Sequence, residues 1–318
     1  MIRVAGVAFV RFRAPDLTRM EEFLIDFGLV RSAVHDERLF MRGTEPDRYL
    51  HVTEVGPSGF AGVGFLAASR TNLDALAERE KTRVEPIDAP GGGARVCLRD
   101  PDGFDVEIVH GIEGLPPLPV RGALPRNDCG GEARIGAPLR LKSGPSHVKR
   151  LGHVLLEVRD LRESAAWYGE KLGFLVSDEV REGDTPVMTF LRCDHGRVPT
   201  DHHSLALVAA GATRFGHAAF EVLDLDDLML GHDQLASCGH DHSHGIGRHV
   251  LGSQIFDYWR DPFGNTLEHW TDGDRFDAGV PPNVVPAVEG MISQWGAPTV
   301  PPRPGSTAAK RQRGRTTR

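Results

Sequence analysis

The sequence predicts an α+β chain built from two tandem copies of one module. Three observations predict it. Each half interleaves alternating apolar runs with amphipathic stretches, the segments beginning near residues 8 and 152 read alike, and an Arg-Asp-Pro-x-Gly run occurs in each half. At 318 residues, with 40% apolar and 25% charged side chains, the chain has the size and composition of two ordinary domains. A formal charge of −7 provides no basic footprint across the body of the chain, so nucleic acid is not an expected partner. No apolar run approaches a membrane span, which removes the bilayer as well. The N-terminal "MIRVAGVAFVRFRAPDL" carries an arginine inside its short apolar stretch and no cleavage-site pattern. The four cysteines, at 97, 129, 193 and 238, form neither a CxxC pair nor a dense framework. A cytoplasmic setting with free thiols is the expectation.

Taken in order, the elements repeat. "AFVRFRAPDLTRMEEFLIDFGLV" (8–30) matches "GHVLLEVRDLRESAAWYGEKLGFLV" (152–176). Each is an alternating strand, then Asp-Leu, where the Asp can cap a helix, then an amphipathic helix, a glycine stop and another strand. "FAGVGF" (60–65) lies on "FGHAAF" (215–220), and each leads toward a helix. "VCLRDPDGFDVEIVHG" (96–111) matches "DYWRDPFGNTLEHWTDG" (257–273), a strand, a tight turn and a strand, with a Glu four residues past the glycine. The expected layout is an N-terminal module at 1–115, a Pro- and Gly-rich linker at 116–147, a C-terminal module at 148–280 and a disordered basic tail at 281–318.

The copies differ where chemistry would be. His153 stands where the first copy has Phe9, and His217 where it has Gly62; only Glu268 has a counterpart, Glu107. With fifteen histidines in the chain, any single one is uninformative, and the argument rests on register. His153 opens one strand, His217 another, and Glu268 follows the Asp-Pro-Phe-Gly turn. On one curved sheet they would converge. Two neutral imidazoles and one carboxylate leave a first-row metal with net charge and open positions, which suits Fe(II), or alternatively Mn(II), binding an organic ligand and dioxygen. A closed structural zinc site would instead draw on four ligands including thiolates. The first module is expected to be a scaffold. "CGHDHSHGIGRH" (238–249) reads as a flexible, solvent-facing loop whose His240, His242 and His244 bind metal adventitiously, or which borders a substrate entrance.

The second half resembles the type I extradiol ring-cleavage dioxygenases of the vicinal oxygen chelate superfamily. The residues that carry the likeness are Gly247, His249, Tyr258, Asp261, Pro262, Gly264 and Glu268, in that spacing; Asp257 departs from the apolar residue the family prefers before the tyrosine. "FLRC" (190–193) is similar too. The resemblance implies two modules of paired βαβββ units, each a curved mixed sheet around a central cavity. It also implies His153, His217 and Glu268 as metal ligands, and a catecholic substrate that is opened by dioxygen beside its two hydroxyls. His249 and Tyr258 would hydrogen-bond the substrate oxygens. An acid–base histidine would precede the second ligand, a role for His203 or its neighbour His202, with His203 fitting the pattern better. A homo-oligomer is implied by the resemblance alone. The rival readings are a glyoxalase-like isomerase, a hydroxyphenylpyruvate dioxygenase-like enzyme and a non-enzymatic binding protein. Glyoxalase-like enzymes draw ligands from both modules, and Phe9 and Gly62 argue against that.

Overall fold

The repeated Asp-Leu becomes the same local device twice. Asp16 caps helix α1 (Leu17–Asp26) by accepting from the Arg19 amide, and Asp160 caps α3 (Leu161–Leu172) by accepting from the amides of Arg162 and Glu163. The Arg-Asp-Pro-x-Gly runs are a second device. The buried carboxylate of Asp100 accepts the amides of Asp102 and Phe104, while Asp261 Oδ1 accepts those of Phe263 and Asn265. Gly103 and Gly264 supply the left-handed backbone, at φ 89° and 90°. Local hydrogen bonding thus explains why these residues occur in both copies.

The computed structural model describes residues 2–299. The first half forms an eight-stranded mixed sheet in the order 30–35, 38–42, 51–55, 4–14, 59–67, 105–110, 94–99, 85–86. The second half forms a ten-stranded mixed sheet in the order 283–286, 175–182, 185–192, 205–209, 150–158, 214–221, 266–271, 255–260, 241–249, 293–296. Helices α1, α2 (Arg70–Arg79), α3 and α4 (Leu225–Ser237) cover the sheets. Side chains of both halves, among them Val10, Phe65, Leu156 and Phe220, belong to one continuous buried cluster. Polar contacts tie the halves together as well: the Tyr168 hydroxyl donates to Asp100, and His269 bonds the Phe27 carbonyl while stacking on its ring. No helix among the described residues is long and apolar enough to cross a membrane.

Two expectations are corrected. The chain past residue 280 was expected to be disordered, yet Asn283–Pro286 pairs with the strand Leu175–Glu182 and Ser293–Gly296 pairs with Asp241–His249, so this segment closes both edges of the second sheet. Pro286, at the end of the first of these strands, is tolerated because the strand lies at a sheet edge. The remainder of the expected tail, 300–318, lies outside the described residues. The histidine-rich stretch is likewise no flexible loop: Asp241–His249 is a strand paired on both sides.

Gly173 ends α3 at φ 76°, and a Cβ there would lie 2.4 Å from the Ile2 carbonyl oxygen. Gly173→Ala therefore meets both backbone strain and a clash with the N-terminal segment. The expected cost is about 2 kcal/mol, measured as a lower urea midpoint at unchanged slope.

Candidate metal centre

Sheet register brings the expected ligands together. His153 pairs with Ala219, Ala219 with Glu268, Glu268 with Tyr258, and Tyr258 with His244, which is one lateral row across five strands. His217 precedes Ala219 by two residues, so pleat alternation places it on the same face. The result is a cluster in which His153 Nε2 and His217 Nε2 lie 3.4 and 3.2 Å from Glu268 Oε2 and 3.3 Å from each other. In the first half an aromatic ring stands at the position of His153. A Cβ on Gly64 would fall 2.7 Å from the Phe9 ring, which packs with Tyr49 and Phe40.

The two related glutamates show what Glu268 needs. Glu107 is buried but neutralised, by Arg11 Nε at 2.7 Å and Arg95 Nη1 at 2.9 Å. Glu268 is completely buried, no guanidinium or ammonium pairs with it among the described residues, and neither of its oxygens has a hydrogen-bond partner there. An uncompensated carboxylate in that position is costly. Burial opposes its charge, but His153 and His217 hold its carboxyl below the usual range. Burial also pushes His153 down, which leaves its imidazole neutral and able to donate a lone pair. The donor set therefore fits a divalent first-row cation: two imidazole nitrogens, one buried anionic oxygen and a cavity beside them.

That cavity, about 360 Å³, is lined by His153, His203, His217, His244, His249 and Tyr258 at its polar end. Its apolar end is formed by Leu155, Met188, Phe190, Val208, Leu251 and Met291. His249 Nε2 stands 3.1 Å from the Tyr258 hydroxyl and 3.9 Å from Glu268 Oε1. Burial lowers His249 to about 4, and burial beside Glu268 raises Tyr258 well above its ordinary value, so both are neutral hydrogen-bonding groups near pH 7.

His203 lines the cavity with its ring 4.1 Å from that of His153, while His202 turns away to Asp178. The bend at 202–204 interrupts strand alternation, so adjacent identical residues take opposite roles. The three histidines of 240–244 also separate. His240 pairs with Asp26, His242 with Asp257, and His244 stacks on Tyr258 with centroids 4.3 Å apart at the cavity wall. A bulge between 242 and 244 divides the last two. The sequence expectation that this stretch borders a substrate entrance fits His244, but spacing alone did not separate it from His240 and His242. Trp270 is buried beside His153, with Arg150 over its ring, and does not line the cavity.

Asp257, the departure from the motif, points to the opposite face from Tyr258 and is completely buried. It accepts from His242 Nε2 at 2.8 Å, His232 Nδ1 at 2.9 Å and Trp259 Nε1 at 2.6 Å. Three donors from α4 and two strands replace the apolar contact the motif would have.

Comparison with known proteins follows the same lines. The family model for the glyoxalase/bleomycin resistance protein/dioxygenase superfamily matches residues 150–269, a span that includes His153, His217 and Glu268. The chain is 33% identical to metapyrocatechase 2 of Cupriavidus necator, covering 94% of this chain and 90% of that protein. It is 25% identical to an iron-dependent extradiol dioxygenase of Rhodococcus jostii, over 86% of this chain and 91% of that one. Among solved structures, the Mn(II)-bound glyoxalase from Novosphingobium aromaticivorans superposes with a TM-score of 0.75 at 23% identity, covering 97% of this chain and 100% of that chain; this likeness is one of fold.

Proposed function

Because this chain belongs to the extradiol dioxygenases of the glyoxalase/bleomycin resistance protein/dioxygenase superfamily, we propose that its second module, 148–280 together with the edge strands that follow, is the catalytic one, with His153, His217 and Glu268 as the metal ligands. The enzyme opens the ring of a catechol with dioxygen, on a site for Fe(II), with Mn(II) as the alternative ion. The observation that carries the assignment to this site is the buried Glu268, anionic and without a guanidinium or ammonium partner among the described residues, within 3.4 Å of two imidazole nitrogens at the wall of a cavity. Once bound, the ion supplies a Lewis acid that acidifies a chelated hydroxyl and a path for electrons to dioxygen.

The side chains supply the rest. His249 and Tyr258 hydrogen-bond the two substrate oxygens unequally, because one offers a ring nitrogen and the other a phenol. His203, which burial pushes well below the ordinary imidazole value, is neutral at rest and can take up a proton at its ring nitrogen and return it. The apolar wall excludes water from the reacting end.

The same wall defines the substrate more closely. A substituent directed away from the ligands meets Leu155, Met188, Phe190, Val208 and Leu251. At the lining, Arg260 is paired with Asp241 at 3.2 Å and Glu157 with Arg214 at 2.7 Å, so the wall offers a carboxylate no unpaired cation among the described residues. Alkyl or aryl catechols therefore fit better than carboxylated ones. With iron-loaded protein, oxygen uptake and a yellow ring-fission product are expected from 3-methylcatechol or an aryl catechol. The corresponding kcat/KM should exceed that for 3,4-dihydroxyphenylacetate by roughly tenfold or more, the equivalent of about 1.4 kcal/mol. Absence of oxygen uptake across such a panel would sink the reading; a preference for the carboxylated diol would sink the substrate class.

A further inference from the structure

Behind His203 lies a second pair of groups that the roles above do not use. His202 Nδ1 is 3.0 Å from His203 Nδ1, and His202 Nε2 is 2.6 Å from Asp178 Oδ2. The other oxygen of Asp178 accepts from Asn283 Nδ2 at 3.1 Å, a contact made by the C-terminal strand. Asp178, His202 and His203 are 5%, 1% and 4% exposed, so water does not compete for these bonds. His202 is held at its backbone and around its ring. Its amide donates to the Asp274 carbonyl, its carbonyl accepts from Ser177 Oγ at 2.6 Å, and Gly252, at φ 76°, packs its backbone against the imidazole.

Resting on the catalytic reading of His203, we infer that Asp178 and His202 are positioning residues that select the tautomer of His203. The logic is one of donors and acceptors. A carboxylate only accepts, so His202 must place its proton on Nε2. With a single hydrogen on its ring, held on Nε2 toward the carboxylate, His202 has a bare Nδ1. Of two Nδ1 atoms 3.0 Å apart one must carry the hydrogen, and it is therefore His203 that donates from Nδ1. Its Nε2, at the far end of the ring, is left as an acceptor on the cavity side. A histidine with a free choice of tautomer would spend much of its time with that nitrogen blocked by a hydrogen. The arrangement follows the rule that the bond made by one ring nitrogen decides what the other can do.

A simple structural role for the pair would stabilise the fold and leave the tautomer alone, so the test reads the tautomer directly. In Zn(II)-loaded protein with 15N-labelled histidine, His203 is recognised by the signal missing from His203→Gln. It should show the Nδ1–H pattern, and in His202→Phe it should move to Nε2–H or a mixture. Iron-loaded His202→Phe should lose roughly 10²-fold or more in kcat, while KM for a catechol and iron content stay within about twofold. Asp178→Asn keeps an acceptor but removes the charge; it is expected to lose less activity, and it carries the same two measurements if His202→Phe does not fold. Nε2–H on His203 in the unaltered protein, or unchanged tautomer and kcat in the variants, overturns the inference. Failure of the unaltered enzyme to consume oxygen would instead overturn the catalytic reading, and the nitrogen spectra would still decide the role of the pair.

Discussion

His217→Ala is expected to lose both its metal and its turnover. The site offers three protein donors, and the imidazole of His217 is 3.2 Å from the carboxylate oxygen that must share the ion. With it gone, His153 and Glu268 remain as two donors, too few to hold an open first-row site against solvent. Iron content should fall below roughly a tenth of an equivalent, and oxygen uptake by roughly 10³-fold or more. The fold should survive, because His217 borders the cavity and is not part of the core. Metal analysis, oxygen consumption on a catechol and the melting temperature of the metal-free protein measure the three quantities separately. Iron-dependent turnover retained in this variant would contradict the ligand set.

The second large effect is one of stability and lies on the reverse face of the sheet. Burial alone would raise Asp257, but hydrogen bonds from His232 and His242 bring it down to about 2. The shift of its folded pKa below an unfolded value near 3.9 corresponds to roughly 2–3 kcal/mol. That contribution is present above about pH 4 and is lost as pH falls through about 2. His232 is moved the other way, raised mainly by its hydrogen bond to Asp257. Its share is complete below its unfolded value of about 6.5 and is lost as pH rises through the raised folded value. Asp257→Asn should therefore be destabilised on the order of 2–3 kcal/mol relative to the unaltered protein, with the largest gap between about pH 4 and 6.5. Urea unfolding at pH 3, 5.5 and 8 would trace it. A gap that does not change with pH would show that the carboxylate's charge plays no part.

Much of this molecule is written in short-range terms. Alternation marks strands because successive side chains face opposite ways, Asp before Leu marks helix starts because the carboxylate takes free amides, and Arg-Asp-Pro-x-Gly marks turns for the same reason. The proposed ligand residues stood out because the copies differ at 153 and 217: Phe9 packs against Gly64 in the first half, while His153 lines the cavity of the second. Glu107 shows the limit of that comparison. Sequence pairs it with Glu268, but the arginines that neutralise it, Arg11 and Arg95, come from separate strands.

What remained hidden depends on pairing between distant segments. His202 and His203 are identical neighbours, and only the bend and Asp178, 24 residues away, separate their roles. His242 and His244 share a strand, yet a bulge sends one to Asp257 and the other to the cavity. The Pro-rich end reads as unstructured by composition, but two open sheet edges offered unpaired backbone groups, and Asn283–Pro286 and Ser293–Gly296 satisfy them. Sequence alone thus determined the modules, the turns and the residue types available for chemistry, since these follow from neighbouring atoms. Which of those side chains meet was decided by the tertiary structure, because register, bulges and buried charge balance depend on strands far apart in the chain.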